Sequence, residues 1–199
     1  MCQLIETIQI QNGIPLNISY HQKRMDKSIY ELFNTKNTIS LVDVVNVPPH
    51  AKKGTWKCRI VYTTNILEIS YNPYVYRTIN TLKIVEATYI SYPHKYLHRE
   101  IFQKLLNQKN NADEILITKQ GYITDTSYTN IIFFDGREWF TPQTYLLPGT
   151  QRAYLLEQKL IREKPIHINT IHTFSKARLI NCFLNLEVGN DIPIENIYI

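Results

Sequence analysis

HKYLHR (94–99) opens the stretch of sequence from which the fold can be inferred. DEILITKQGYITDTSYTNIIFF (113–134) follows, with two apolar segments around Gly121 that predict a strand, a turn and a second strand. WFTPQTYLLPGTQR (139–152) closes the stretch with a Gly-centred turn that runs into a helix. A lysine, a carboxylate and a turn suited to an anion therefore follow one another along the chain.

In this order and at this spacing, the three blocks resemble the cofactor-binding half of the class IV aminotransferases. These are the fold-type IV enzymes that use pyridoxal 5'-phosphate (PLP), and they include the branched-chain and D-amino acid aminotransferases and 4-amino-4-deoxychorismate lyase. The resemblance covers roughly residues 4–194. It implies an α+β fold in two domains: a small α+β sandwich, then a pseudo-β-barrel with helices, with PLP in the cleft between them.

The composition is that of an ordinary globular protein, with 44% hydrophobic and 20% charged residues in 199. The sequence shows no apolar run long enough for a membrane span and no signal peptide. Cys2, Cys58 and Cys182 are isolated and odd in number, which favours reduced thiols in the cytoplasm. The histidines have no ligand spacing, so we expect no metal.

The net charge of +5 suits a site for a phosphorylated cofactor and carboxylate substrates. The small basic cluster HAKKGTWK (50–57) could in principle touch nucleic acid. A solvated loop is the simpler interpretation of such a cluster. We therefore expect small-molecule substrates, and neither a nucleic-acid nor a membrane partner.

Along the chain, the pattern predicts an N-terminal α+β domain over 1–76, a hinge at 77–80 and a PLP-binding domain over 81–199. A hairpin with its turn at Asn12-Gly13 opens the first domain. The apolar spacing favours helices in five places, namely 21–34, 39–47, 99–110, 152–164 and 174–186.

Lys95 is the candidate for covalent attachment of PLP. A PLP enzyme needs a lysine amine that attacks the cofactor and later acts as a base at Cα. Most lysines are solvated surface charges, but Lys95 follows an extended apolar segment and precedes a helix. KYLHR also resembles the lyase branch at its attachment lysine. Lys83, within a predicted strand, is the nearest rival.

Asp125 is the candidate partner of the PLP ring nitrogen, which must stay protonated if the ring is to accept electrons. The family usually has Glu here, in a motif like Y-I-x-E-x-x-x-x-N. YITDTSYTN (122–130) has the shorter Asp125 and keeps Asn130. The alternative is an Asp that caps a turn after a strand.

The turn at Gly149 opens a helix and so directs N–H groups at an anion. The resemblance assigns the phosphate to this turn, at Gly149 and the amides of Thr150 and Gln151. Simple helix capping by Thr150 is the alternative. HQKR (21–24) resembles the H-x-x-R element whose arginine reaches the phosphate, which assigns that role to Arg24. Its alternative is a solvated helix face.

The remaining assignments are weaker. Asn181 and Cys182 lie near a second phosphate-contacting helix start of the family. Thr7 lies where the lyase branch places a threonine near the cofactor. Arg59 and Tyr62 are candidates for contact with a substrate carboxylate.

The resemblance implies an enzyme acting at Cα of an amino substrate. KYLHR and Thr7 favour 4-amino-4-deoxychorismate lyase, in folate biosynthesis. An amino acid aminotransferase, of the branched-chain or D-amino acid type, is the alternative. A non-catalytic homologue with a basic binding surface is a second alternative. We expect a homodimer and a minimal-length member of the family, in which a partner subunit could complete the substrate side.

Overall fold

The computed structural model describes residues 2–199, which divide into two compact units. The first unit runs to Tyr76 and also contains His94–His98, whereas the second contains Arg77–Pro93 and Arg99–Ile199. The predicted division placed residues 94–98 in the second domain. The predicted domains and the observed units thus differ mainly in where they place the segment around the candidate lysine.

The first unit is a four-stranded antiparallel sheet with a long helix. Its elements are β1 (Leu4–Gln11), β2 (Ile14–Pro15), α1 (Ile18–Phe33), α2 (Leu41–Val44), β3 (Thr55–Tyr62) and β4 (Ile66–Pro73). The sheet order is β2-β1-β3-β4. Asn12 and Gly13 both have positive φ, 50° and 84°, as a tight hairpin turn requires. The predicted hairpin is therefore confirmed.

Helix α1 packs on one face of this sheet. Met25 and Ile29, four residues apart, lie on the same side of the helix and are buried with Ile8 of β1. Successive residues of a strand point to opposite faces, so Glu6 faces the helix with Ile8, and Thr7 faces away. This alternation places one carboxylate inside an otherwise apolar core.

The second unit contains two sheets that share one hydrophobic core. Its elements are β5 (Leu82–Glu86), α3 (Glu100–Leu106), β6 (Glu114–Lys119), β7 (Tyr122–Thr126), β8 (Asn130–Phe134), β9 (Trp139–Pro142), α4 (Thr150–Glu157), β10 (Arg162–Lys164), β11 (Lys176–Ile180), β12 (Ile192–Pro193) and β13 (Ile197–Tyr198). The sheet orders are β13-β5-β6-β7 and β10-β9-β8-β11-β12. Leu82 and Leu116 of the first sheet pack with Ile131 and Phe133 of the second.

The helix predicted over 174–186 is wrong. Residues 176–180 form strand β11, which pairs antiparallel with both β8 and β12. Ala177 and Leu179 are buried and alternate with the less buried Lys176 and Arg178. This period of two is the signature of a strand, and the apolar residues that follow it obscured the pattern.

The helix predicted over 152–164 ends early, at Glu157. Lys159 has a φ of 57°, and Leu160 N–H donates to the Leu155 carbonyl at 2.9 Å. That bond and the left-handed residue form a Schellman-type stop, which usually carries Gly. The chain then enters β10, which pairs parallel with β9.

The other three predicted helices are present with different bounds. Helix α1 begins at Ile18, three residues before the predicted start, and α3 ends at Leu106. Helix α2 has only four residues, and a short 3-10 turn follows at Pro49–Ala51.

Membrane-spanning helices and metal clusters are absent from the described residues. Between residues 2 and 199, no helix combines the length and apolar character needed to cross a bilayer. The same residues contain no group of three or more His, Cys, Asp or Glu side chains arranged to hold a metal ion.

Candidate active site

Lys95 lies on the edge of the first unit's sheet. The Ile5 N–H donates to the Lys95 carbonyl at 2.9 Å, and the Leu97 N–H donates to the Gln3 carbonyl at 2.9 Å. Between these two bonds, residues 95–97 run antiparallel to the start of β1 as a short additional strand. Pairing with a distant part of the chain therefore fixes the lysine backbone.

His94 anchors the same segment to α1. Its Nδ1 lies 3.1 Å from Ser28 Oγ, and its Nε2 lies 3.6 Å from a carboxylate oxygen of Glu31. Burial lowers the pKa of His94, although Glu31 opposes this shift. Ser28 also hydrogen-bonds the Tyr62 hydroxyl, and burial raises the pKa of that phenol. Tyr62 itself is only 1% exposed, in the core of the first unit.

Arg24 forms a buried ion pair with Glu6. Its Nε donates to Glu6 Oε1 at 2.8 Å and its Nη2 donates to Oε2 at 2.6 Å, which is the paired geometry that suits a guanidinium. His21 Nδ1 lies 2.6 Å from the same Oε2. Because a carboxylate accepts only, this nitrogen must carry the hydrogen if Glu6 is ionised.

The ionisation of this cluster follows from its burial and charges. Burial alone would raise the pKa of Glu6, but Arg24 and His21 outweigh it and hold the pKa at about 2. Burial lowers the pKa of His21 against the opposing effect of Glu6. The charge of Lys95 also lowers the pKa of His21, so the Lys95 amine lies within electrostatic reach of the cluster. In the first unit, the charges of Lys95 and Arg24 thus both act on His21.

Thr7 and Arg59 are directly opposite one another on β1 and β3. Opposed residues of an antiparallel pair point to the same face, which here is the face away from α1. An Arg59 nitrogen lies 3.7 Å from Glu68 of β4. Tyr62 points to the other face of the sheet, so the three candidate substrate residues do not lie together.

Asp125 is a buried carboxylate held by three hydrogen bonds. Asn130 Nδ2 donates to Oδ1 at 2.7 Å, and the N–H groups of Leu146 and Leu147 both donate to Oδ2 at 2.9 Å. Burial raises its pKa to about 6, while these donors and the Arg152 charge limit the rise. A carboxylate offers about four acceptor positions, so one position on Oδ1 remains for a further donor.

Gly149 is required by close packing against Asn130. A Cβ at this position would lie 1.9 Å from Asn130 Oδ1, which no contact allows. Asn130 Nδ2 also donates to the Leu147 carbonyl at 3.0 Å. Asn130 therefore links Asp125 to the turn that leads into α4.

Thr150 and Gln151 occupy the first turn of α4 and are each 5% exposed. Ala153 N–H makes the first main-chain bond of the helix, to the Gly149 carbonyl at 2.9 Å. The N–H groups of Thr150 and Gln151 precede that bond, so they form the positive end of the helix dipole. The geometry is compatible with binding an anion.

Asn181 and Cys182 do not begin a helix. They follow β11, and Asn181 Oδ1 accepts from the N–H groups of Phe183 at 2.8 Å and Leu184 at 3.1 Å. Asn181 thus closes a local turn. The expectation of a second helix start here is wrong, whereas a phosphate contact by either residue stays a prediction.

Sequence reasoning missed three side chains, namely Glu6, His94 and Arg152. Glu6 had a visible signal, since it interrupts the apolar alternation of Leu4, Ile8 and Ile10. Such an inward charge calls for a buried partner. His94 acts through contacts distant in sequence, and Arg152 through contacts with neighbouring elements, and neither kind is visible in a local sequence pattern.

These residues fit the cofactor that the sequence implies. The first unit has an amine, Lys95, and a guanidinium, Arg24, that both act on the charge of His21, as a covalently held phosphorylated cofactor would require. The second unit has a buried carboxylate with one acceptor position remaining, which suits a protonated ring nitrogen, and a turn made compact by Gly149, which suits an anion.

Comparison with known proteins identifies the family. The family model for amino-transferase class IV matches residues 3–186. An uncharacterized Haemophilus influenzae protein is 35% identical over 94% of this chain and all of its own length. A crystal structure from Haemophilus somnus, described as a candidate 4-amino-4-deoxychorismate lyase, is 36% identical, with a TM-score of 0.88 over 94% of this chain and 98% of that one.

A third match concerns the fold alone. A PLP-bound aminotransferase of unassigned activity from Mycobacterium tuberculosis has a TM-score of 0.75 at 13% identity, over 96% of this chain and 80% of its own. The predicted family, fold type and cofactor are therefore confirmed. The chain belongs to the class IV aminotransferase family and is a PLP-dependent enzyme.

Proposed function

We propose that this enzyme is a 4-amino-4-deoxychorismate lyase, which releases pyruvate and 4-aminobenzoate. The observation that carries the proposal is the 36% identity, over nearly the whole of both chains, to the Haemophilus somnus protein described as a candidate for that activity. The reaction belongs to folate biosynthesis. We place the enzyme in the cytoplasm because its three cysteines are isolated and odd in number.

We assign Lys95 two tasks, namely holding PLP covalently and moving the proton at the substrate Cα. When bound, PLP supplies an electron sink for the electron pair that remains after this proton leaves. Lys95 Nζ accepts the proton, and the pairing of residues 95–97 with β1 keeps its backbone fixed while the amine moves. Positioning of this kind contributes much of the catalytic effect of a base.

We assign Asp125 to the ring nitrogen. The remaining acceptor position on Oδ1 would receive the N–H of the protonated ring. With a pKa of about 6, Asp125 is mostly ionised at neutral pH, and this charge would keep the proton on the ring. Asn130, Leu146 and Leu147 fix the position of this side chain, which is shorter than the usual Glu.

We assign the phosphate to Arg24 and to the start of α4, at Gly149, Thr150 and Gln151. The Glu6 carboxylate orients the Arg24 guanidinium, and the helix dipole favours an anion at Thr150. Asn181 and Cys182 are the weaker candidates for this group.

On the substrate side, we propose Thr7 and Arg59, which share one face of the sheet. Arg59 is 30% exposed, so its guanidinium is accessible to a carboxylate. We do not extend this role to Tyr62, because its hydroxyl is buried beside Ser28 and supports the His94 segment.

An amino acid aminotransferase is the second candidate, and the family itself favours it. Both reactions use a lysine and a carboxylate, so substitutions at Lys95 and Asp125 do not separate them. A non-catalytic protein is not supported, because the lysine and the carboxylate are both retained.

Turnover without an acceptor separates the two reactions. The purified enzyme is supplied with aminodeoxychorismate and no 2-oxo acid, and pyruvate and 4-aminobenzoate are measured. A lyase gives many turnovers. An aminotransferase instead converts its cofactor once with an amino acid, stops, and resumes only when a 2-oxo acid is added. The lyase assignment would be refuted if common L- or D-amino acids converted the cofactor at a rate higher than the rate of lyase turnover.

A further inference from the structure

We propose that Arg152 is a positioning residue that holds the loop whose amides bind Asp125. The proposal rests on the assignment of Asp125 to the ring nitrogen of PLP. The loop is residues 143–147, which connect β9 to the turn before α4, and we call it the amide loop.

Arg152 contacts the residue before the amide loop and the middle of the loop. Its Nη2 donates to the Pro142 carbonyl at 3.1 Å, immediately before the loop, and to a carboxylate oxygen of Glu163 on β10. Its guanidinium carbon lies 4.1 Å from the centre of the Tyr145 ring, inside the loop. Arg152 itself is only 5% exposed.

The amide loop delivers its donors to Asp125 directly after Tyr145. The next two residues, Leu146 and Leu147, give their N–H groups to Asp125 Oδ2 at 2.9 Å each. Thr144, the residue before Tyr145, is held in place because its Oγ1 donates to the Ile123 carbonyl at 2.6 Å. Stacking on Tyr145 therefore contributes to where the two amides point, together with the bonds of Thr144 and Asn130.

Arg152 also contributes charge. Burial raises the pKa of Asp125, and Arg152 is among the groups that oppose this rise. An arginine that both shapes the amide loop and opposes protonation makes Asp125 a better partner for a protonated ring nitrogen.

The arginine at this position also carries a cost to stability. Within residues 2–199, its Nε has no hydrogen-bond partner although it is buried, and such a group costs free energy. A methionine would cover the Tyr145 ring without that cost. The contacts of the guanidinium with the amide loop suit a role at Asp125.

Affinity for two cofactor analogues tests the proposal. The dissociation constants of PLP and of 1-deaza-PLP, in which carbon replaces the ring nitrogen, are measured by fluorescence titration. Their ratio reports only the interaction at the ring nitrogen. We expect Arg152→Met to reduce the wild-type preference for PLP by roughly five- to tenfold, which corresponds to up to about one pKa unit at Asp125.

Two further variants keep the test decisive. Glu163→Gln loosens the Arg152 contact at a side chain that is 42% exposed, so it should fold normally and reduce the preference by roughly threefold. Arg162→Met is the matched control, because Arg162 is exposed and pairs with Glu138 at 3.0 Å. It should leave the ratio unchanged.

The outcomes separate this proposal from the one on which it rests. Equal weakening of both analogues in Arg152→Met, with an unchanged ratio, would show that Arg152 acts on the phosphate or the fold and would overturn the proposal. Asp125→Asn should abolish the preference. If Asp125→Asn keeps it, the role of Asp125 is wrong, and the role of Arg152 falls with it.

Discussion

Glu6 is the side chain around which the polar cluster of the first unit is arranged. It is fully buried, yet its pKa is only about 2, because Arg24 and His21 compensate for lost water. The same carboxylate sets the direction of the Arg24 guanidinium. A buried charge of this kind is retained more readily for orientation than for stability.

Removing the Glu6 charge should destabilise the apoprotein. Glu6→Gln leaves the Arg24 charge buried without its partner, and we expect a loss of about 3 kcal/mol in the free energy of unfolding. Urea unfolding at neutral pH measures this loss. The control is Glu68→Gln, whose side chain is 58% exposed and which should change stability by less than about 0.5 kcal/mol.

The Glu6 contribution should depend on pH in a defined direction. The folded pKa lies below the ordinary value of 4.5, so the stabilisation is complete above about 4.5 and is lost as the pH falls through about 2. The difference between wild type and Glu6→Gln should shrink over this range. A difference that is the same at all pH values would contradict the assigned ionisation.

At the residue scale, the sequence nominated those groups whose order along the chain is informative. Lys95, Asp125 and the turn at Gly149 were proposed from three successive blocks of sequence, and their roles stay predictions. The partners of Asp125 were found less completely: Asn130 was identified, but Leu146 and Leu147 act through main-chain N–H groups. A main-chain donor has no side-chain signature in the sequence.

At the element scale, the turn before α4 is the most constrained part of the second unit. Asn130 bonds both Asp125 Oδ1 and the Leu147 carbonyl, and Gly149 leaves the space that the Asn130 side chain occupies. Asp125, Leu147 and Gly149 thus all contact the side-chain amide of Asn130. A small change in the turn at Gly149 should therefore displace this amide and, with it, the Asp125 carboxylate.

Gly149→Ala should weaken PLP binding. The added methyl group would collide with Asn130 Oδ1, and overpacking of this kind costs roughly 1–3 kcal/mol. We expect the dissociation constant of PLP to rise by about tenfold or more. Gly189→Ala is the control, because its Cβ meets mainly the flexible Arg178 side chain and should leave PLP affinity unchanged. Equal affinity in both variants would contradict the constraint.

The elements that were mispredicted share a physical cause. Strand β11 and the end of α4 are determined by pairing and turn geometry, and both lie in apolar sequence that also fits a helix. The stop at Lys159 uses a left-handed lysine where Gly is the usual signal. Pairing of β11 with β8, and of β10 with β9, favoured strands over helix in these segments.

At the scale of the whole molecule, the grouping of His94–His98 with the first unit is the feature that sequence order concealed. The flanking segments on both sides belong to the second unit. Only long-range pairing with β1 reveals this arrangement. The consequence is that Lys95 and Arg24 belong to one unit although 70 residues separate them in sequence.

The protein should be a homodimer, as the family resemblance implies. Each unit leaves large apolar side chains exposed, including Val75 at 79%, Tyr89 at 70% and Tyr76 at 41%. Symmetric pairing is the commonest way to cover such surface. Light scattering at micromolar concentration should give twice the chain mass of 23.5 kDa. A monomer at all concentrations tested would refute this expectation.

The attachment of PLP to Lys95 is tested most directly by chemical trapping. The protein is loaded with PLP, reduced with borohydride and digested, and the pyridoxyl group is located by mass spectrometry. We predict one label, on the peptide that contains Lys95, and none after Lys95→Ala. A label on Lys83, or no label on wild-type protein, would contradict the account.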